Sequence, residues 1–355
     1  VHSMATLTLP ALVDVHVHFR EPGGTHKEDF GSGTRAALAG GIAVVLEMPN
    51  TSPPTVDANA FSEKARIAGQ SAVCDFGLFL GATADNAAEA TALGGRAAGL
   101  KAYMGETYGP LLLSDLPALL GHFRLWRGPG PIAVHAEGAM LAAAVALARA
   151  YGQPVHLCHV SRAAEIELIR RSKEAGAPVT CEVTPHHLFL TEADAARLGG
   201  FGQMKPALGD ARDRAALWEN LDVIDCFATD HAPHTRAEKS GERPPPGVPG
   251  VETMLPLLLT AVSEGRLTLE DLVQRLHTNP ARIFRLRLPP AETVIEREAV
   301  WEIRDEELHT RCGWTPFAGR RVRGRVRSLT LRGRPVYRDG QVLVGGGFGR
   351  NVRDA

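Results

Sequence analysis

The stretch Ala11-Leu12-Val13-Asp14-Val15-His16-Val17-His18 decides how the chain folds. In it Val13, Val15 and Val17 alternate with Asp14, His16 and His18, and a β-strand sends alternate side chains to opposite faces. The valines can then pack outward against helices while both imidazoles project together from the other face. Two imidazoles on one face form half of a metal site. Alone, His-x-His more often marks two satisfied histidines in a wet sheet. The rest of the chain reverses that balance, because it keeps placing ligands where apolar strands end.

Working outward, short apolar runs recur at Ile42 to Met48, Asp75 to Leu80, Ala98 to Met104, Pro131 to Ala136, Pro154 to Val160, Pro178 to Val183 and Val223 to Thr229. Helical segments separate them: Asp29 to Ala39, Phe61 to Gly69, Asn86 to Leu93, Leu113 to Trp126, Ala139 to Tyr151, Ala163 to Ala175 and Arg212 to Leu221. Eight strands alternating with helices predict an α/β fold, a parallel (β/α)8 TIM-like barrel, over residues 4–288. Strands that are apolar almost throughout fit burial on both faces. From about Pro289 the pattern changes to short β-like runs split by turns such as Asp339-Gly340, which predicts a small β appendage, 289–355, packed on the barrel. Glu238 to Gly250 is too rich in Pro and Gly for a helix or central strand and reads as an ordered loop. Residues 1–3, ahead of Met4, read as an expression remnant.

Composition narrows the class. The 355 residues are 44% hydrophobic with a formal net charge of -1, which gives no warrant for a nucleic-acid surface. The basic run Arg320 to Arg334 reads as a solvated face. No apolar run is long enough to span a bilayer. The five cysteines form no C-x-x-C pair, and four lie in apolar strand-like runs, so reduced, buried thiols and a cytoplasmic location are expected.

Active sites of such barrels lie at the carboxyl ends of the strands. There the chain places His16 and His18, Lys101, His135, His159 and Asp230. Three or four ligands suffice for one zinc, so this set suggests two ions. A lysine ammonium beside two cations would be repelled and its charge is disfavoured by burial, whereas a CO2-derived carbamate on Lys101 would be anionic and could bridge both metals.

The segments DVHVHFREPG (14–23), MPNT (48–51), GLKAYM (99–104), HAE (135–137), CHVSR (158–162), TPHH (184–187) and ATDHAPH (228–234) resemble the dihydroorotases of the amidohydrolase superfamily. LWENLDVIDCFATDHAPHT, RPPPGVPGVETMLPLLLTAVSEGRL and VTCEVTPHHLFL are similar to the dihydroorotase domains of CAD-type multifunctional pyrimidine proteins. The chain starts almost at its first barrel strand, as an excised domain would. The resemblance implies reversible closure of N-carbamoyl-L-aspartate to L-dihydroorotate in pyrimidine (UMP) biosynthesis. It implies two Zn2+ per chain: His16, His18 and Asp230 on one, His135 and His159 on the other, and carboxylated Lys101 and a hydroxide bridging them. Asp230 would act as base and then acid. Arg20, Asn50 and His234 would hold the substrate carboxylate. Gly105 to Pro110 resembles a mobile lid whose Thr107 reaches the substrate. A homodimer is implied too, as is linkage in one polypeptide to carbamoyl phosphate synthetase and aspartate transcarbamylase.

Two positions depart from the animal pattern. Tyr108 stands where phenylalanine is usual, and Lys205 stands where arginine precedes proline, which bears on substrate affinity because lysine cannot fork onto a carboxylate. Cys158 and Glu182, also at strand ends, are expected to buttress the ligands rather than bind metal. Two rivals remain: a dihydropyrimidinase or allantoinase, whose substrates lack the free carboxylate, and a non-catalytic scaffold, which would typically have lost ligands.

Overall fold

The structure, a computed structural model, describes residues 6–354, so the expected remnant at 1–3 lies outside the described residues. Its centre is a parallel barrel. The strands are β2 (Leu12–Val17), β3 (Ile42–Glu47), β4 (Asp75–Leu78) continued after Phe79 by β5 (Leu80–Gly81), β6 (Leu100–Tyr103), β7 (Ile132–His135), β8 (Val155–Leu157), β9 (Val179–Val183) and β10 (Cys226–Phe227). Neighbours in this order pair in parallel, with a break at Phe79, where the ladder carries on through the Phe79 amide to the Glu47 carbonyl at 3.0 Å. Val13, Val15, Val44, Leu46, Leu78, Leu100, Ile132 and Phe227 are fully buried, as strands covered by helices require.

Closure between β2 and β10 is achieved by polar groups. Val17 bridges His231, and the His18 amide donates to the His231 carbonyl at 2.7 Å. Buried Asp14 accepts from the Thr229 amide at 3.0 Å and from the Thr229 hydroxyl. This carboxylate therefore locks the strand bearing His16 to the segment bearing Asp230.

The helices begin where side chains can satisfy the free amides of their first turns. Asp29, Asp57, Asp115 and Asp210 each accept from an amide two or three residues on. Phe30–Ala39 ends at Gly40, and Gly41 turns into β3 with φ +78°, where a side chain would be strained. After the last barrel strand comes Met254–Ser263, an apolar helix that packs on the second sheet.

That second sheet is antiparallel, in the order β1 (Thr6–Pro10), β11 (Ala291–Glu302), β12 (Arg321–Leu331), β13 (Arg334–Arg338), β14 (Gln341–Val342). Its first strand comes from the N-terminus, so the sheet draws on both ends of the chain and not only on residues after 289. Thr6 to Pro10 pair with Glu292 to Glu296, and only Ala11 separates that strand from the barrel. The appendage also supports the site. Glu252 accepts from the amides of His309 and Thr310, while the Arg311 amide reaches buried Glu28, whose carboxylate lies 3.4 Å from His231 Nε2. All five cysteines are free and buried, and among the described residues no helix is long and apolar enough to cross a membrane.

Candidate metal centre and active site

Strand geometry brings His16, His18 and Asp230 together. Asp230 Oδ1 lies 3.4 Å from His16 Nε2 and 3.0 Å from His18 Nε2, and all three side chains are buried or nearly so. The other ring nitrogens identify the tautomers. His18 Nδ1 is 2.7 Å from the Asn50 side-chain oxygen, whose amide nitrogen in turn donates to the Tyr108 carbonyl at 2.9 Å. His16 Nδ1 is 2.5 Å from Glu182 Oε1. Each Nδ1 therefore carries a proton, and both Nε2 atoms face the Asp230 carboxylate. At this range a positive charge stabilises the cluster, either a proton on His16 Nε2 or a metal ion in its place. Burial opposes charge on His16, as does Lys101, yet Glu182 and Asp230 outweigh both and lift it to about 10. Positive charge is drawn to this point. Burial pushes His18 down to about 3. Burial would raise Asp230 as well, but His16 and His18 hold it well below the usual carboxylate range.

His135 and His159 lie on the next strand ends, Nδ1 of the first 2.9 Å from Nε2 of the second, with the His159 ring 5.3 Å from that of His16. His135 Nε2 and His159 Nδ1 are buried without a partner. A buried, unpaired imidazole nitrogen is costly, and a metal ligand is one way to use it. Burial and then Lys101 push His135 down to about 3; burial and then His135 push His159 far below its ordinary value. Both are neutral, as ligands must be.

Lys101 is fully buried, the second residue of β6 and not at its carboxyl end, its ammonium 3.1 Å from Cys158 Sγ and 5.1 Å from the Tyr103 ring centre. Among the described residues it has no carboxylate partner, an unusual setting for a buried cation. His16, Cys158 and Glu182 also offer ligand atoms within 4.8 Å of one another. Glu182 meanwhile accepts from His156 Nε2 at 3.0 Å, so one carboxylate orients two histidines.

Three of these side chains sit on left-handed backbone: Arg20 (φ 63°), His159 (φ 37°) and Asp230 (φ 47°). Strain of this kind gathers where tertiary structure forces a side chain into a site.

Arg20 is 5% exposed; its Nε donates to the Pro233 carbonyl at 3.1 Å and its Nη2 lies 3.2 Å from His234 Nε2. Burial, then Arg20 and Lys27, keep His234 neutral. The Pro-rich loop reaches the same ring through the Pro246 carbonyl, 3.0 Å from His234 Nε2. A side chain at Gly247 would meet that nitrogen at 3.1 Å and the Ala232 carbonyl at 2.5 Å. Thr107 is half-buried and Tyr108 37% exposed, with the Tyr108 ring edge-on to His234 at 4.9 Å. Lys205 donates to the Glu106 carbonyl at 3.2 Å, touching the backbone of the Gly105 to Pro110 segment.

Residues 7–288 match the profile of the amidohydrolase family. The chain belongs to that family. It is 53% identical over 349 residues to the multifunctional protein CAD of Squalus acanthias, covering 98% of this chain and 16% of that protein. It thus spans about a sixth of the multifunctional relatives' length. The dihydroorotase of Pyrococcus furiosus is 33% identical over 358 residues, 94% of this chain and 82% of that enzyme. Among solved structures, L-hydantoinase (dihydropyrimidinase) from Arthrobacter aurescens aligns with a TM-score of 0.91 at 27% identity, covering 98% of this chain and 89% of that one. An inactive dihydroorotase-like domain of a Chaetomium thermophilum CAD-like protein aligns with a TM-score of 0.84 at 28% identity, covering 98% and 99%.

Sequence reading did not assign roles to Asp14, Lys27, His156 or Tyr103. For Asp14 a signal existed: it lies on the same strand face as His16 and His18. Nothing in the sequence indicated that Lys27 would be buried.

Proposed function

We propose that this amidohydrolase is a dihydroorotase, interconverting N-carbamoyl-L-aspartate and L-dihydroorotate, and that it works in pyrimidine biosynthesis as part of a CAD-like chain. The observation that carries the reading is Asn50. It accepts from the metal-ligand candidate His18 and donates to the lid residue Tyr108, beside the buried Arg20 and His234. A metal centre is thereby joined to a cationic clamp suited to a carboxylate that stays outside the reacting amide. The hydantoinase-like alternative has no use for that clamp.

The donor set fits two divalent ions: His16, His18 and Asp230 would hold one and His135 and His159 the second, with Lys101, as its carbamate, a further anionic donor. Zinc suits these nitrogen and oxygen donors. Bound there, the metals would polarise the ring carbonyl and supply hydroxide near neutral pH. Arg20, Asn50 and His234 orient the substrate through its carboxylate. The ionised Asp230 takes up a proton at its carboxylate and returns it to the ring nitrogen in the hydrolytic direction. The lid at Thr107 and Tyr108 closes over the substrate and excludes water. Glu182 and Asp14 keep His16 and Asp230 aligned.

Dihydroorotate hydrolysis and metal content measured on one sample test the reading. About two zinc ions per chain, with turnover that is lost on chelation and restored by zinc, are expected. A fully metallated chain inert toward both substrates would instead be a scaffold, and one metal in fully active protein would end the dinuclear assignment.

A further inference from the structure

Lys27 has no part in the roles assigned so far, yet it is 4% exposed and its ammonium gathers three partners from two distant segments. Nζ lies 2.8 Å from Glu238 Oε1, 3.0 Å from His234 Nδ1 and 3.0 Å from the Tyr108 hydroxyl. An ammonium has three donors and no acceptor, so all three contacts run outward from lysine. This settles the state of His234. Its Nδ1 must present a lone pair to Lys27, which leaves the proton on Nε2, where the Pro246 carbonyl accepts it at 3.0 Å. Nε2 also lies 3.2 Å from Arg20 Nη2, donor against donor, a contact that a carboxylate accepting from both would relieve.

The same ammonium reaches the lid. Arg20 and Lys27 lie over the Tyr108 ring at 5.1 and 4.8 Å, in cation–π range. A cavity of about 480 Å³, lined in part by Arg20, Lys27, Asn50, Tyr108 and Glu238, opens at this junction. Only the hydroxyl of Tyr108 can accept from Lys27, and a phenylalanine there would have none.

We propose that Lys27 is a positioning residue that couples lid closure to carboxylate recognition, holding His234 in its Nε2–H tautomer and latching the lid through the Tyr108 hydroxyl. The coupling to substrate rests on the dihydroorotase reading; the tautomer does not, and the two are measured separately.

Zinc-loaded protein labelled with 15N-histidine, with His234 assigned by its loss in His234→Gln, reports the tautomer by NMR. The parent should show Nε2–H alone, and Lys27→Met should populate Nδ1–H. In kinetics, Lys27→Met should raise KM for dihydroorotate by about 10-fold or more while kcat falls by less than about 3-fold, as lost ground-state positioning predicts. Tyr108→Phe should raise KM by about 2- to 4-fold, and the double variant should be no worse than Lys27→Met alone, since both remove one coupled contact. Should Lys27→Met fail to fold, Lys27→Gln and Tyr108→Phe supply the same comparison. An unchanged tautomer in the Lys27 variant overturns the role at His234, and KM effects that multiply overturn the latch. A parent protein that turns over no dihydroorotate defeats the functional reading, and the NMR result still decides on Lys27.

Discussion

Arg20→Ala removes the guanidinium on which substrate choice is argued to rest. Arg20 is nearly fully buried, and one of its donors is already committed to the Pro233 carbonyl, leaving the Nη end for an anion beside His234. Its backbone is left-handed at φ 63°, but alanine bears the same backbone cost as arginine, so the substitution isolates the side chain. A hydrogen bond between charged groups contributes about 1.5–3 kcal/mol. Each 1.36 kcal/mol is a decade in rate, so kcat/KM for dihydroorotate should fall about 10- to 150-fold. Arg20→Lys should recover part of this, because lysine keeps the charge and loses the fork. Steady-state kinetics with parallel zinc analysis makes the measurement. Zinc should not change, since the contacts of Arg20 are with Pro233, His234 and the Tyr108 ring. A kcat/KM like that of the parent, or a loss that merely tracks lost zinc, would refute the reasoning.

The same geometry sets three other outcomes. Lys101→Ala should abolish nearly all activity and lower the metal content, because no anionic bridge can form; most of the activity surviving would show the carbamate to be unnecessary. Thr107→Ala should lower turnover strongly with zinc intact, and an equal loss of zinc and activity would mean that the lid has been misplaced. Glu182→Gln removes the charge that orients His16 and His156, so competition with a chelator should show zinc held about 10- to 100-fold more weakly; unchanged affinity would leave that carboxylate without a role.

Much of this arrangement can be read in the sequence because a parallel barrel imposes regular chemistry on it. Apolar runs such as Ile42 to Met48 are buried on both faces, so they stand out, and the residues just after each run fall at the carboxyl end, where the ligands gather. Other features depend on pairings that local patterns do not encode. Thr6 to Pro10 alternates like any short strand, but its partner is Ala291–Glu302, whose polar sequence AETVIEREAVWE is a weak strand signal. Charged residues are the hardest case. Lys27 and Glu28 read as ordinary surface or turn residues, and for Asp14 the sequence shows only a strand face shared with His16 and His18, yet all are buried, because each has partners brought from more than 70 residues away. The helix Met254–Ser263 carries a clear apolar pattern, but that pattern does not say which sheet it covers.

Above all else, the metal centre is held to serve a ring bearing a free carboxylate. The most direct test compares kcat/KM of the zinc-loaded parent for dihydroorotate and for uncharged dihydrouracil under one set of conditions. Loss of the clamp's charged partner should cost dihydrouracil at least about 10-fold relative to dihydroorotate. Equal or faster hydrolysis of dihydrouracil would contradict the claim and place the chain with the dihydropyrimidinases.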